Sequence, residues 1–324
     1  MKKKLFIVMI CQVLAMVGVH AATRSAILRL HNGTGITYET AQLAQAVAEA
    51  ESGDTLCLNE GIYNLSEELV IDKAVTLMGA GQSTQIIGNI SIAIEGEPTL
   101  TSRMFDAVKI MGSVSVSKNL KGLSFRKVSI SDNLSWQVAI SDVLADRCNL
   151  KNLPMNSNLR SANFVNCRIQ NLYFGDSNNN CEITFLNCSI FDWHIERYLD
   201  QRYATYINCI VMGVSINGTN YCTNYSTLYN SLVLLQSSIS GTNTIANNCY
   251  VFDGRDGNAE NYTTMTKEEL IAAGYLGNDG TVVGVEGGNT PYTLVPNSIT
   301  VTESQLKVDN ANKTLNVTLK VASN

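Results

Sequence analysis

A six-residue pattern returns about every twenty residues through the middle of this chain. Phe164-Val165-Asn166-Cys167-Arg168-Ile169 is followed by Phe185-Leu186-Asn187-Cys188-Ser189-Ile190 and Tyr206-Ile207-Asn208-Cys209-Ile210-Val211. Looser copies centre on Asn230 and Asn248, and the intervals between the five asparagines are 21, 21, 22 and 18 residues. Fixed-period self-similarity means stacked units, none of which buries its apolar face alone. Apolar residues alternate within each copy, as on strands with one face against a core. A second alternating pair follows in Leu172 and Phe174, and again in Trp193 and Ile195. The period is too short for helical solenoids, and the leucine-rich-repeat line is missing. The expected fold is all-β, a right-handed parallel β-helix solenoid.

The same frame extends back through Ala145–Leu150, Phe125–Ile130, Phe105–Ile110 and, as read here, Ile87–Ile92. The asparagine column (Asn166, Asn187, Asn208, Asn230, Asn248) marks a bend, because Asn tolerates left-handed backbone. Stacked copies could also exchange amide hydrogen bonds down the column. Cys148, Cys167, Cys188, Cys209 and Cys249 form a second column, expected as buried free thiols because parallel stacked side chains do not face each other. No CxxC or Cys/His spacing suggests a metal, and no cofactor is expected.

The ends read differently. Lys2–Lys4, the apolar run Leu5–Val19 and the small-residue exit at Ala21 form a secretory signal over residues 1–21. No later stretch is long and apolar enough for a membrane span. The expected location is therefore secreted, periplasmic or cell surface. An N-terminal segment over 22–54 carries an amphipathic capping helix from Tyr38 to Ser52, with Leu43, Ala46, Val47 and Ala50 on one face and Gly53 ending it. The β-helix is expected over 55–260. Residues 261–324 form a C-terminal cap and tail, with a capping-box helix opening at Thr266 and a β element around Ile299–Val301 and Leu315–Val321.

Whole-chain charge is −5, and about −8 once Lys2–Lys4 are removed. With no basic stripe, nucleic acid is excluded as a partner. The densest functional cluster is Phe191, Asp192, His194, Glu196 and Arg197, continuing to Arg202. Asp192 and Glu196 would lie roughly 13 Å apart along a strand, beyond the ~5–9.5 Å of a glycosidase pair. The cluster reads first as a solvated outer face on a rung with an insertion, and its candidate function is glycan contact rather than catalysis.

Gly53-Asp54-Thr55, Glu60-Gly61-Ile62-Tyr63 and Val75-Thr76-Leu77-Met78-Gly79-Ala80-Gly81 together resemble the opening of pectin-lyase-like right-handed β-helix proteins. Asp279–Gly288 and Thr290-Pro291-Tyr292-Thr293 resemble the tail of secreted Bacteroidetes members of that superfamily. The resemblance implies acidic polysaccharides as substrates, with clustered aspartates for hydrolysis or calcium-binding carboxylates and a basic residue for elimination. The polygalacturonase-like aspartate set is absent, and only His31 and His194 follow the signal. The expectation is a non-catalytic exported protein that engages polysaccharide or cell-surface glycan. The alternative is a lyase or glycoside hydrolase with an unrecognised site.

Overall fold

A computed structural model describes residues 26–94, 96, 104–174, 178–195, 202–211, 226–233, 245–252, 265–294, 299–309 and 314–323. The signal segment, Glu196 and Arg197 lie outside them. Parallel sheets stack as a β-solenoid of about 7 turns. One column of its first sheet runs in register through Phe105, Phe125, Ala145, Phe164, Phe185, Tyr206, Leu228 and Ala246. A column of the second sheet runs through Ile86, Ile110, Ile130, Leu150, Ile169, Ile190, Val211 and Val233. Between the columns lies the core. Phe164, Phe185 and Tyr206 stack at 5.0 Å ring separations and are fully buried, close to the rung spacing of about 4.8 Å set by backbone pairing.

One register differs from the sequence reading. The turn before Phe105 aligns through Leu77, not Ile87. Ile87 instead pairs with Met111 in the second sheet, and Ile90–Ile92 pair with Val114–Val116. Alternating apolar residues occur on every strand of a turn, so this turn's second and third strands mimicked the first.

At the corner between the two sheets, one residue per turn takes a left-handed conformation. Asn166, Asn187, Asn208, Asn230 and Asn248 have φ from 47° to 54°, and Ala107, Lys127 and Arg147 in earlier turns have φ from 53° to 55°. The next residue is a cysteine after Arg147, Asn166, Asn187, Asn208 and Asn248, a valine after Ala107 and Lys127, and a serine after Asn230. Cys148, Cys167 and Cys188 each donate their backbone N–H to the sulfur one turn on, at 3.4 Å, and Cys209 donates to Ser231 Oγ at 3.1 Å. The Cys167, Cys188 and Cys209 thiols in turn donate to the carbonyls of Ala145, Phe164 and Phe185, strand residues of the preceding turn. The column thus fills volume and also pairs backbone groups that the bend takes out of the ladder. All five ladder cysteines are free. Burial pushes the Cys148, Cys167 and Cys188 thiols well above their ordinary range, so a thiol reagent should leave these three unlabelled in the folded protein. The half-buried Cys181 and Cys249 should label first, and Cys148, Cys167, Cys188 and Cys209 should join them in denaturant. Native labelling of Cys188, read by peptide mass, would contradict the packing.

The N-terminal end is closed by a hairpin. Ala26–His31 pairs antiparallel with Thr34–Glu39 and with Thr55–Leu58, the first strand of the solenoid. Asn32 and Gly33 turn it with φ of 47° and 87°, the tight-turn geometry that Asn-Gly favours. The capping helix is shorter than expected, Leu43–Glu49, because strand pairing holds Tyr38. Its Leu43, Ala46 and Val47 are buried in the core.

Beneath this hairpin the carboxylate of Asp54 accepts from Arg29 Nε at 2.7 Å and from the Glu51 N–H at 2.9 Å, with His31 Nδ1 at 2.6 Å. Burial alone would raise the Asp54 pKa, but these three partners hold it below its ordinary value. A carboxyl depressed on folding stabilises above its unfolded pKa and loses that contribution as pH falls through the folded one. Wild type and Asp54→Asn should therefore differ in stability by a constant amount above about pH 5, and by less as pH falls below about 4. Denaturant melts across that range would show it; a constant difference down to the lowest pH would refute the assignment.

Residues 265–294 lie along the outside of the solenoid, against the corner of its later turns. Thr266 caps the helix Lys267–Ala272 through a capping box. Leu270, Val282 and Val283 then pack on Ile210 and Leu232, forming a small second core outside the sheet. From Gly277 to Gly288 the segment runs as a strap over the asparagine corner. Asn208 exchanges two hydrogen bonds with Asn278, at 2.9 and 3.1 Å, and accepts the Gly284 N–H at its carbonyl. Asn166 donates to the carbonyls of Val285 and Gly287 at 3.3 and 2.8 Å. These two amides therefore bond the strap.

Residues Ser25–Leu294 form one compact unit. In a second, the strands Ile299–Asp309 and Thr314–Ser323 pair as an antiparallel hairpin. No helix among the described residues is long and apolar enough to cross a membrane.

Candidate functional site

The most promising surface is the outer face of three adjacent strands, Asn149–Met155, Arg168–Phe174 and Ser189–Ile195. Leu150, Ile169 and Ile190 point into the core and are buried, which turns their neighbours outward. Register aligns Asn149, Arg168 and Ser189 in one column and Asn152, Asn171 and Asp192 in another. Asn171 Nδ2 donates to Asn152 Oδ1 at 2.7 Å. The Arg168 guanidinium carbon lies 4.6 Å from the centre of the Phe191 ring, a cation–π arrangement. Among the described residues Arg168 forms no ion pair.

The end of the strap reaches the same place. Tyr292 donates its N–H to the Val285 carbonyl at 2.8 Å. Burial pushes its phenol up to about 12, although the nearby Arg168 pulls it down. An arginine, two aromatic rings and a pair of amides thus share one partly exposed region. Hydrogen-bond donors beside an aromatic face match a ligand that has both hydroxyls and apolar C–H surfaces.

Of the six candidate contact residues, Phe191 lies at this site, half-buried beneath Arg168. Asp192 and His194 follow on the same strand, opposite Asn171 and Tyr173. Arg202 opens the strand Arg202–Ile207, opposite Asn178. Sequence alone connects neither Arg168 nor Tyr292 with this patch. Neither pairing has a local signal, since the partners lie 23 and 124 residues away from Arg168.

A second charged group sits at the corner of the earlier turns. Arg126 pairs with Asp106, and Arg147 pairs with Asp146 at 2.7 Å. Register stacks Asp106, Arg126 and Asp146 in one column. Lys127 is buried among them, its pKa lowered by burial and by Arg147 and Arg126 while both aspartates oppose the shift. Here the acids are engaged by guanidinium groups, so the column neutralises itself. At the corner, Lys127 and Arg147 thus stand beside the aspartates, and Asn166 and Asn208 stand under the strap.

No protein-family model matches this chain, and the search of curated proteins returned no match.

Proposed function

We propose that this chain is an exported solenoid of pectin-lyase-like, Bacteroidetes type that engages glycans without turning them over. The contact surface is the outer face carrying Arg168, Phe191, Asn152 and Asn171. The observation that supports this most is the Arg168 guanidinium held over Phe191 with no ion-pair partner among the described residues. Such a pair offers a stacking plane and directional donors on a rigid scaffold, where sheet pairing has already removed the ordering cost.

Glycan-array binding of the chain beginning after residue 21 tests the reading. Phe191→Ala and Arg168→Ala should each weaken retention about tenfold, a loss of roughly 1.4 kcal/mol, with unchanged melting. Retention that ignores both substitutions would place binding elsewhere. Ultraviolet absorbance from an unsaturated uronate, or new reducing ends, would replace the binding role with catalysis. His194→Ala would then be the first variant to assay.

A further inference from the structure

The strap makes contacts of the kind an extended peptide makes in a groove. Its two reciprocal bonds with Asn208, its Gly284 N–H on the Asn208 carbonyl and its Val285 N–H on Ser189 Oγ at 3.1 Å fix its register. Glycine recurs where the approach is closest. A Cβ on Gly277 would fall 2.6 Å from the Asn208 side chain, one on Gly284 2.7 Å from Ile210, and one on Gly288 2.3 Å from Asn187. Val282 and Val283 supply the apolar anchor. The groove therefore recognises both backbone direction and side-chain size.

The fit is incomplete at one point. Asn187 is 5 % exposed, and its Oδ1 has no hydrogen-bond partner among the described residues. A buried acceptor left open weakens docking, so the strap opens more readily than the core beneath it. All the interactions described are non-covalent and come from Leu270–Gly288. The same segment of another molecule presents the same groups, and only the tether favours the chain's own copy.

We propose that the groove over Asn166, Asn187 and Asn208 is a peptide-binding site, filled by the chain's own strap, that also accepts the strap of a second copy of this chain. The first test uses a fluorescent synthetic peptide of residues 275–292 and the full chain carrying Val283→Asp, which removes the apolar anchor. Saturable binding is expected, at least about tenfold tighter than to wild type, where the tethered strap competes at an effective concentration in the millimolar range. Adding Asn208→Leu to the variant should abolish it. No binding to a folded Val283→Asp chain, judged by circular dichroism and by protection of Cys188, overturns the proposal.

If Val283→Asp does not fold, hydrogen exchange on wild type decides. Excess peptide should speed exchange at the chain's own Gly284 and Val285 amides, and an unchanged rate overturns the proposal. Two differently tagged wild-type samples, mixed near millimolar concentration in mild denaturant and returned to buffer at that concentration, should yield mixed dimers. Their absence overturns exchange between copies. None of these readouts involves a glycan, so their failure leaves the Arg168–Phe191 reading untouched.

Discussion

Phe185→Ala is expected to cost about 3–5 kcal/mol of folding free energy. Phe185 is fully buried, with the Phe164 ring 5.0 Å away at 15° on one side and Tyr206 5.0 Å away at 7° on the other. Most cores relax partly into a lost ring. Here the backbones above and below are held in register by parallel pairing at residues 164, 185 and 206, so the gap stays open. Both neighbouring rings lose a contact face as well. Gln170→Ala, on an exposed outer position, should stay within about 0.5 kcal/mol. Denaturant melts with unchanged slopes give the comparison. Similar midpoints for the two variants would mean that the strand parity is wrong.

Gly284→Val should cost about 2–3 kcal/mol, with a different outcome. The glycine has φ of +82°, and a Cβ there would meet Ile210 and Ser189 Oγ at 2.7 Å. Strained backbone and steric overlap therefore add. The loss cannot exceed the free energy that docks the strap, because releasing the strap relieves both. Hydrogen exchange should show the amides of Gly284 and Val285 losing protection while those of Phe164 and Phe185 keep theirs. Uniform loss across the chain would mean that the strap and the solenoid unfold as one unit.

The solenoid was legible because each of its turns repeats one simple instruction. Phe164, Phe185 and Tyr206 share one parity and one spacing, and parallel stacking is the arrangement that buries all of them. The asparagine spacing marked the corner in the same way, since left-handed backbone is a local property. The N-terminal hairpin also had a local signal in Asn32-Gly33, but the amphipathic pattern through Val47 drew the helix boundary back to Tyr38. Pairing with Ala26–His31 prevailed over helical periodicity there.

The strap was harder to read because its partners are remote in sequence. Its trace is a change in one outward column. Lys109, Ser129, Asn149, Arg168 and Ser189 give way in register to Ile210, Leu232 and Tyr250. An outer position that turns apolar is waiting for a cover. The spacing of Gly277, Gly284 and Gly288 against the corner was the complementary mark. The Arg168–Phe191 contact had no comparable trace, since a cation and a ring on neighbouring turns are common on any sheet surface. Its place emerges only once register puts the two strands side by side.

The strap also governs the order in which this protein can finish folding. A simple stack of turns can close one turn at a time as the chain is made, each new rung settling on the last. Here Asn166 waits for a carbonyl 121 residues later, and Ile210 and Leu232 stay bare on the outside until Val282 and Val283 arrive. Until the strap docks, the middle turns carry an apolar strip open to other chains. A ribosome that stalls or a protease that clips before residue 277 would leave a solenoid with sound turns and a sticky flank. Completion of the C-terminal thirty or so residues of the Ser25–Leu294 unit is what makes it a finished surface.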